Sequence, residues 1–124
     1  MRNFLLVGAG GFVGSVARFY LTAAVTRLTS ASRFPAGTIV VNLTGCFAIG
    51  VLAGLAERRH MFTHDTRLFL LTGLLGGFTT FSAFAYETYF LGREHVWPAA
   101  FANVAIQVIL GLALLAAGHS LATA

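Results

Sequence analysis

A chain of 124 residues, 57% of them apolar and 10% charged, is too short for two domains and too apolar for a soluble core, so lipid is its expected solvent. The formal charge of +4 comes from arginine with no lysine, and the arginines are scattered singly or in pairs between apolar runs, which excludes a polybasic tail for nucleic acid. A single cysteine, Cys46, leaves no disulfide or metal framework.

Four apolar segments follow in chain order: Phe4–Val25, Thr38–Ala56, Leu68–Leu91 and Val96–Ala117. Each is close to the ~20 residues that cross a ~30 Å hydrocarbon core, so the chain reads as one all-α transmembrane domain over residues 1–124. The first segment follows Arg2 as a secretory signal would, but it is too long, contains Arg18 and precedes three more spans. Gly10 and Gly14 make it a small-xxx-small helix, as Gly50/Gly54 and Gly73/Gly77 do for the second and third, so close backbone contacts are expected. Arg18 must snorkel, pair or face water.

Pro35 stands just before the second span, where a missing N–H costs least. Asn42 lies near its start, either as an interhelical hydrogen-bonding group or with its amide N–H turned toward an anion. The link at 57–67 carries Arg58, Arg59, His60, His64 and Arg67; the two histidines have helical spacing but sit among charges, where solvated side chains are the expectation.

The third span is unlike an ordinary lipid-facing helix. Residues 73–87 combine the adjacent Gly76 and Gly77 with Thr79, Thr80 and Ser82, and with Phe78, Phe81 and Phe84 at three-residue spacing. Glycine weakens a helix by about 1 kcal/mol relative to alanine, so the break is expected at the Gly76–Gly77 pair. Non-helical backbone at membrane depth survives only against protein or a water-filled cavity, and such breaks can offer carbonyls to a cation. Aromatic rings have an electropositive edge, which can touch a small anion without trapping it. Glu87 ends this span as an interfacial acid or an arginine partner. On the fourth span, Asn103 and Gln107 are four apart and share a face, either along a permeation path or in a seam between helices.

The arginines barely discriminate the two membrane faces. Arg2, Arg58, Arg59 and Arg67 fall on one side; Arg27, Arg33 and Arg93, with Arg18 leaning toward them, fall on the other. The chain therefore has either one weakly biased orientation or dual topology, with inverted copies pairing as an antiparallel dimer.

Taken together, Gly10-Gly11-Phe12-Val13-Gly14-Ser15-Val16-Ala17-Arg18, the stretch from Pro35 through Asn42 to Gly45, and Gly76-Gly77-Phe78-Thr79-Thr80-Phe81-Ser82-Ala83-Phe84 resemble the bacterial CrcB/Fluc fluoride channels over the whole chain. The resemblance implies a multi-pass protein of the bacterial inner membrane: four helices with the third broken, assembled as an antiparallel dual-topology homodimer that passively exports fluoride. It implies a structural sodium ion held by the main-chain carbonyls of Gly76 and Thr79. It also implies a fluoride pore at Phe81, Phe84, Asn42, Ser82 and Thr80, with Arg18 and Glu87 in supporting or vestibule positions and Asn103 and Gln107 as candidates for a polar track. The alternative is a small proton-coupled multidrug exporter, which needs a membrane-embedded carboxylate, yet the first span has Arg18 and no acid. A non-transporting accessory subunit would have no use for the polar break, and no nucleophile–base pair or metal cluster suggests an enzyme.

Overall fold

The computed structural model describes residues 1–29, 34–59 and 62–124 and is helical throughout, with no strand among the described residues. Arg33 and His60 lie outside the described residues, as do the side chains of Arg58 and Arg59. Helix α1 is Arg2–Leu28 and α2 is Ala36–Arg59. Helix α3 covers residues 64–78: it is α-helical over His64–Arg67, π-helical over Leu68–Leu75 and α-helical again over Gly76–Phe78. Helix α4 is Phe81–Arg93, and α5 is Trp97–Thr123 with a π-helical stretch at Ile106–Leu110. Among the described residues, four stretches are long and apolar enough to cross a membrane: α1, α2, α3 together with α4, and α5.

Local chemistry sets the ends. Thr63 caps α3, its hydroxyl accepting from Thr66 N–H at 3.2 Å, with Asp65 in the first turn where the helix dipole favours an anion. Pro98 sits in the first turn of α5, where no intrahelical donor is lost. Between α4 and α5 the chain turns at His95, whose φ of 61° is in the left-handed region. The N–H groups of His95 and Val96 fold back onto the carbonyls of Gly92 and Leu91 at 3.1 and 2.9 Å, a Schellman closure with a non-glycine residue at its left-handed position.

Alternate spans run parallel and are pressed together at glycines. Along α1, Gly10, Gly11 and Gly14 face Gly73, Gly77 and the backbone of Phe69 and Leu74 on α3. A Cβ on Gly77 would lie 2.6 Å from the Gly11 carbonyl, and one on Gly73 would lie 2.9 Å from that of Val7. Along α2, Gly50 and Gly54 meet α5 at Leu115 and His119, and Gly118 returns the contact at Phe47. All three small-xxx-small pairs thus lie in real helix contacts. The Arg2–Asp65 ion pair (3.2 Å) and the His119–Glu57 hydrogen bond (3.0 Å) sit on the surface, where such contacts contribute about 0–1 kcal/mol. Backbone-close packing, not charge, therefore carries the bundle.

One sequence expectation shifts. Gly76 and Gly77 are helical, Gly76 at φ −62°, ψ −35°. The extended residues are Thr79 (φ −83°, ψ 159°) and Thr80 (φ −150°, ψ 112°), after which α4 begins. Gly77 serves close approach to α1 rather than the interruption, because its missing side chain is what admits the Gly11 backbone.

Candidate functional site

The interruption exists because a side chain from another helix takes over the backbone pairing. Thr79 N–H still reaches the Leu75 carbonyl at 3.0 Å, and its hydroxyl does too, also at 3.0 Å. Thr80 N–H instead donates to Asn42 Oδ1 at 2.8 Å, while Asn42 Nδ2 donates to the Thr80 carbonyl at 3.0 Å. Asn42 thus clasps both polar groups of one residue, the requirement for extended backbone inside an apolar helix. Thr80 Oγ1 then accepts from Ala83 N–H at 3.2 Å, capping α4, and lies 3.2 Å from Ser82 Oγ. Gly45, one turn beyond Asn42 on α2, leaves room for the Thr79 methyl, which a Cβ there would strike.

Diverting Thr80 N–H deprives the Gly76 carbonyl of its i+4 helical donor, and Gly76 is exposed. Hard carbonyl oxygens are the donor class that suits an alkali cation, and the extended turn at Thr79 also frees its carbonyl from α-helical pairing. The residues at this turn therefore fit a sodium ion by donor chemistry.

Around the interruption is an open, largely apolar groove of about 390 Å³, where Asn42, Thr79, Phe81, Phe84 and Gln107 stand beside aliphatic side chains such as Ile49 and Leu71. Phe81 is 78% exposed, and its ring centroid lies 5.4 Å from that of Phe84 at 55° between planes. Ser82 is exposed beside them. Asn42 Nδ2 also donates to Gln107 Oε1 at 2.6 Å, Gln107 Nε2 donates to Asn103 Oδ1 at 2.8 Å, and Asn103 Nδ2 donates to Thr88 Oγ1 at 2.8 Å. Asn42 is thus both a helix-to-helix hydrogen-bonding group and a wall of the groove. Asn103 and Gln107 form a seam, but only Gln107 reaches the groove, since Asn103 is fully buried.

Glu87 accepts from Thr38 Oγ1 at 2.5 Å, so its partner is a hydroxyl on α2 rather than an arginine. Its second oxygen, Oε2, is buried with no partner among the described residues. Glu87 also lines a separate recess of about 440 Å³ with Pro35, Tyr86 and Glu94. Arg18 is half-buried on α1, away from the groove, with no ion pair among the described residues. Thr38 and Thr88 were not singled out in the sequence, although each had a signal. Thr38 is one turn before Asn42, and Thr88 continues the stripe of Phe81 and Phe84.

Residues 5–119 match the family described as CrcB-like protein, Camphor Resistance (CrcB). A fluoride-specific ion channel FluC of Methylobacillus flagellatus is 46% identical over 121 residues, covering 98% of this chain and 94% of that protein. Its namesake in Solibacter usitatus is 46% identical over 120 residues, 97% of this chain and 98% of that one. The one in Nitratidesulfovibrio vulgaris is 40% identical over 121 residues, 98% and 97% of the two chains. Matches of this length and identity place the chain in a non-enzymatic transport family: it belongs to the CrcB family, whose members named here are fluoride-specific ion channels.

Proposed function

We propose that this protein is a fluoride-selective channel that passively lowers cytoplasmic fluoride, working as an antiparallel, dual-topology homodimer in the bacterial inner membrane. The observation that carries the reading is the pair of extended residues Thr79–Thr80 inside a membrane-capable span, opening on a groove lined by aromatic rings and amides. A single copy leaves that groove open and Phe81 exposed, and a second, inverted copy would bring a matching break to the same depth. The span α3–α4 is then one transmembrane helix broken near mid-membrane.

In this arrangement the carbonyls of Gly76 and Thr79 would hold a sodium ion, which when bound would supply fixed positive charge beside the anion path. The edges of Phe81 and Phe84, the hydroxyls of Ser82 and Thr80 and the remaining N–H of Gln107, which Asn42 holds in place at the wall of the groove, replace water around fluoride. Each is a weak donor, so the ion is dehydrated without being trapped. Arg18 and Glu87 serve the approaches rather than the constriction. Fluoride entering as neutral HF from acid surroundings dissociates in the cytoplasm and leaves as the anion.

The deciding experiment is ion efflux from liposomes containing the purified protein. Fluoride release with chloride retained is the expected result; equal release of both, or of neither, would overturn the reading. Tagged termini reporting a single side of the membrane would remove dual topology while leaving the channel itself standing.

A further inference from the structure

The hydrogen bonds around the groove form one circuit that starts at Thr80, the N-cap of α4, and finishes within α4. From the Thr80 backbone it passes to Asn42 on α2, to Gln107 and Asn103 on α5, and to Thr88, whose hydroxyl donates to the Phe84 carbonyl at 2.7 Å. The enclosed segment is the one that carries Phe81 and Phe84.

The direction of every bond in the circuit is dictated from the Thr80 end. A backbone N–H can only donate and a carbonyl can only accept, so Thr80 fixes which Asn42 atom is oxygen and which is nitrogen. Asn42 then donates to Gln107, which must present its oxygen to α2 and its NH2 to Asn103. Asn103 in turn must present its NH2 to Thr88, and the Thr88 hydroxyl, already accepting, has only its proton left to give to Phe84. No amide can flip without breaking two bonds.

Apolar packing does little to hold α4. Leu91 is its one buried residue, while Phe81, Tyr86 and Tyr89 are 78%, 64% and 61% exposed. Asn103, by contrast, has 0% exposure, although it lies on a helix otherwise rich in exposed apolar residues. A fully buried amide is retained here at the point where the circuit closes onto α4.

We propose that Asn103 and Thr88 are positioning residues: without touching the ion, they set the angle of the Phe81 and Phe84 rings and aim the remaining N–H of Gln107 into the groove. The closing bond from Thr88 to the carbonyl four residues back tilts the first turns of α4, as such bonds bend helices. The significance for permeation rests on the channel reading above; the positioning itself does not.

The test pairs Thr88→Val, which keeps the shape and loses the hydroxyl, with Thr88→Ser, which keeps the hydroxyl. Asn103→Asp, which keeps the acceptor for Gln107 and loses the donor to Thr88, is a third variant. A 4-fluorophenylalanine placed at position 84 reports ring environment by fluorine NMR, and liposome efflux reports fluoride flux and the fluoride-to-chloride ratio. Thr88→Val and Asn103→Asp should move the fluorine resonance, lower fluoride flux by about tenfold, the rate equivalent of one lost hydrogen bond, and narrow the ratio. Thr88→Ser should restore all three. An unmoved resonance in Thr88→Val would overturn the positioning role whatever the flux. A moved resonance with unchanged flux and ratio would overturn its bearing on permeation. Wild-type protein that moves no fluoride would instead sink the channel reading, with the resonance still deciding the geometry.

Discussion

Asn42 and Thr80 are paired in both directions, Thr80 N–H to Asn42 Oδ1 at 2.8 Å and Asn42 Nδ2 to the Thr80 carbonyl at 3.0 Å. This pairing lets two extended residues stand inside a membrane-capable helix, since an amide side chain is the nearest copy of a peptide group. Asn42→Leu leaves both Thr80 groups unpaired and should cost about 1–3 kcal/mol, read as a lowered unfolding temperature in detergent. Asn42→Asp keeps the acceptor but turns a second oxygen toward the Thr80 carbonyl and Gln107 Oε1, so it should not rescue. Wild-type stability in the Asp variant would show that the two-way pairing is not what holds the turn.

Gly76 and Gly77 are neighbours with opposite expectations. A Cβ on Gly77 would meet the Gly11 backbone at 2.6 Å, which cannot yield as a flexible side chain would. Gly77→Ala should therefore destabilise by about 1–3 kcal/mol through overpacking. At Gly76 the nearest atom to an added Cβ is the Leu71 carbonyl at 3.9 Å, ordinary contact. Gly76→Ala should leave the single chain as stable or slightly more so, by up to ~1 kcal/mol of helix propensity. A loss of dimer or of sodium-dependent stability in that variant would then report the second copy, because nothing in the chain itself crowds the site. Cross-linking yield and unfolding temperature with and without sodium separate the two effects.

The four spans were legible in the sequence because bilayer thickness sets a length that few other structures need; α1 and α2 extend a few residues beyond the expected bounds, while α5 begins inside its expected start and runs on from Ala117 to Thr123. The glycine pairs were legible for a similar reason: lipid offers no hydrophobic drive between helices, so small residues mark contacts. The interruption was assigned three residues too early. In sequence, a glycine that admits a neighbouring backbone looks the same as one that weakens a helix, and only the fold brings Asn42 to Thr80 across 38 residues. Thr88 and Thr38 escaped notice because a hydroxyl on a helix is unremarkable until a buried amide or carboxylate is found beside it.

Phe81 and Phe84 should separate stability from transport. Phe81 is 78% exposed in one copy, so Phe81→Ala removes little buried surface from the chain's own core. Under the ring-edge reading its fluoride flux should nonetheless fall by roughly tenfold or more, about 1.4 kcal/mol of barrier. Phe84→Ala, at a half-buried position touching Phe81, should lower both flux and unfolding temperature. Liposome efflux alongside size-exclusion chromatography checks this; normal flux in both variants would remove the rings from the path.

His95 tests the fold away from the groove. Its φ of 61° is forced by the Schellman closure between α4 and α5, and a side chain in that region costs about 1–2 kcal/mol relative to glycine. His95→Gly should therefore raise the unfolding temperature by several degrees, less the entropy that glycine returns to the unfolded chain. A β-branched residue is worse suited to positive φ than histidine, so His95→Val should lower it. The residue is exposed and distant from Asn42, so fluoride efflux should stay at the wild-type rate in the glycine variant. Equal unfolding temperatures for Gly, His and Val at this position would mean that the turn does not hold the left-handed conformation. The short link would then not be what sets the approach of α5 to α4, and with it the reach of Asn103 to Thr88.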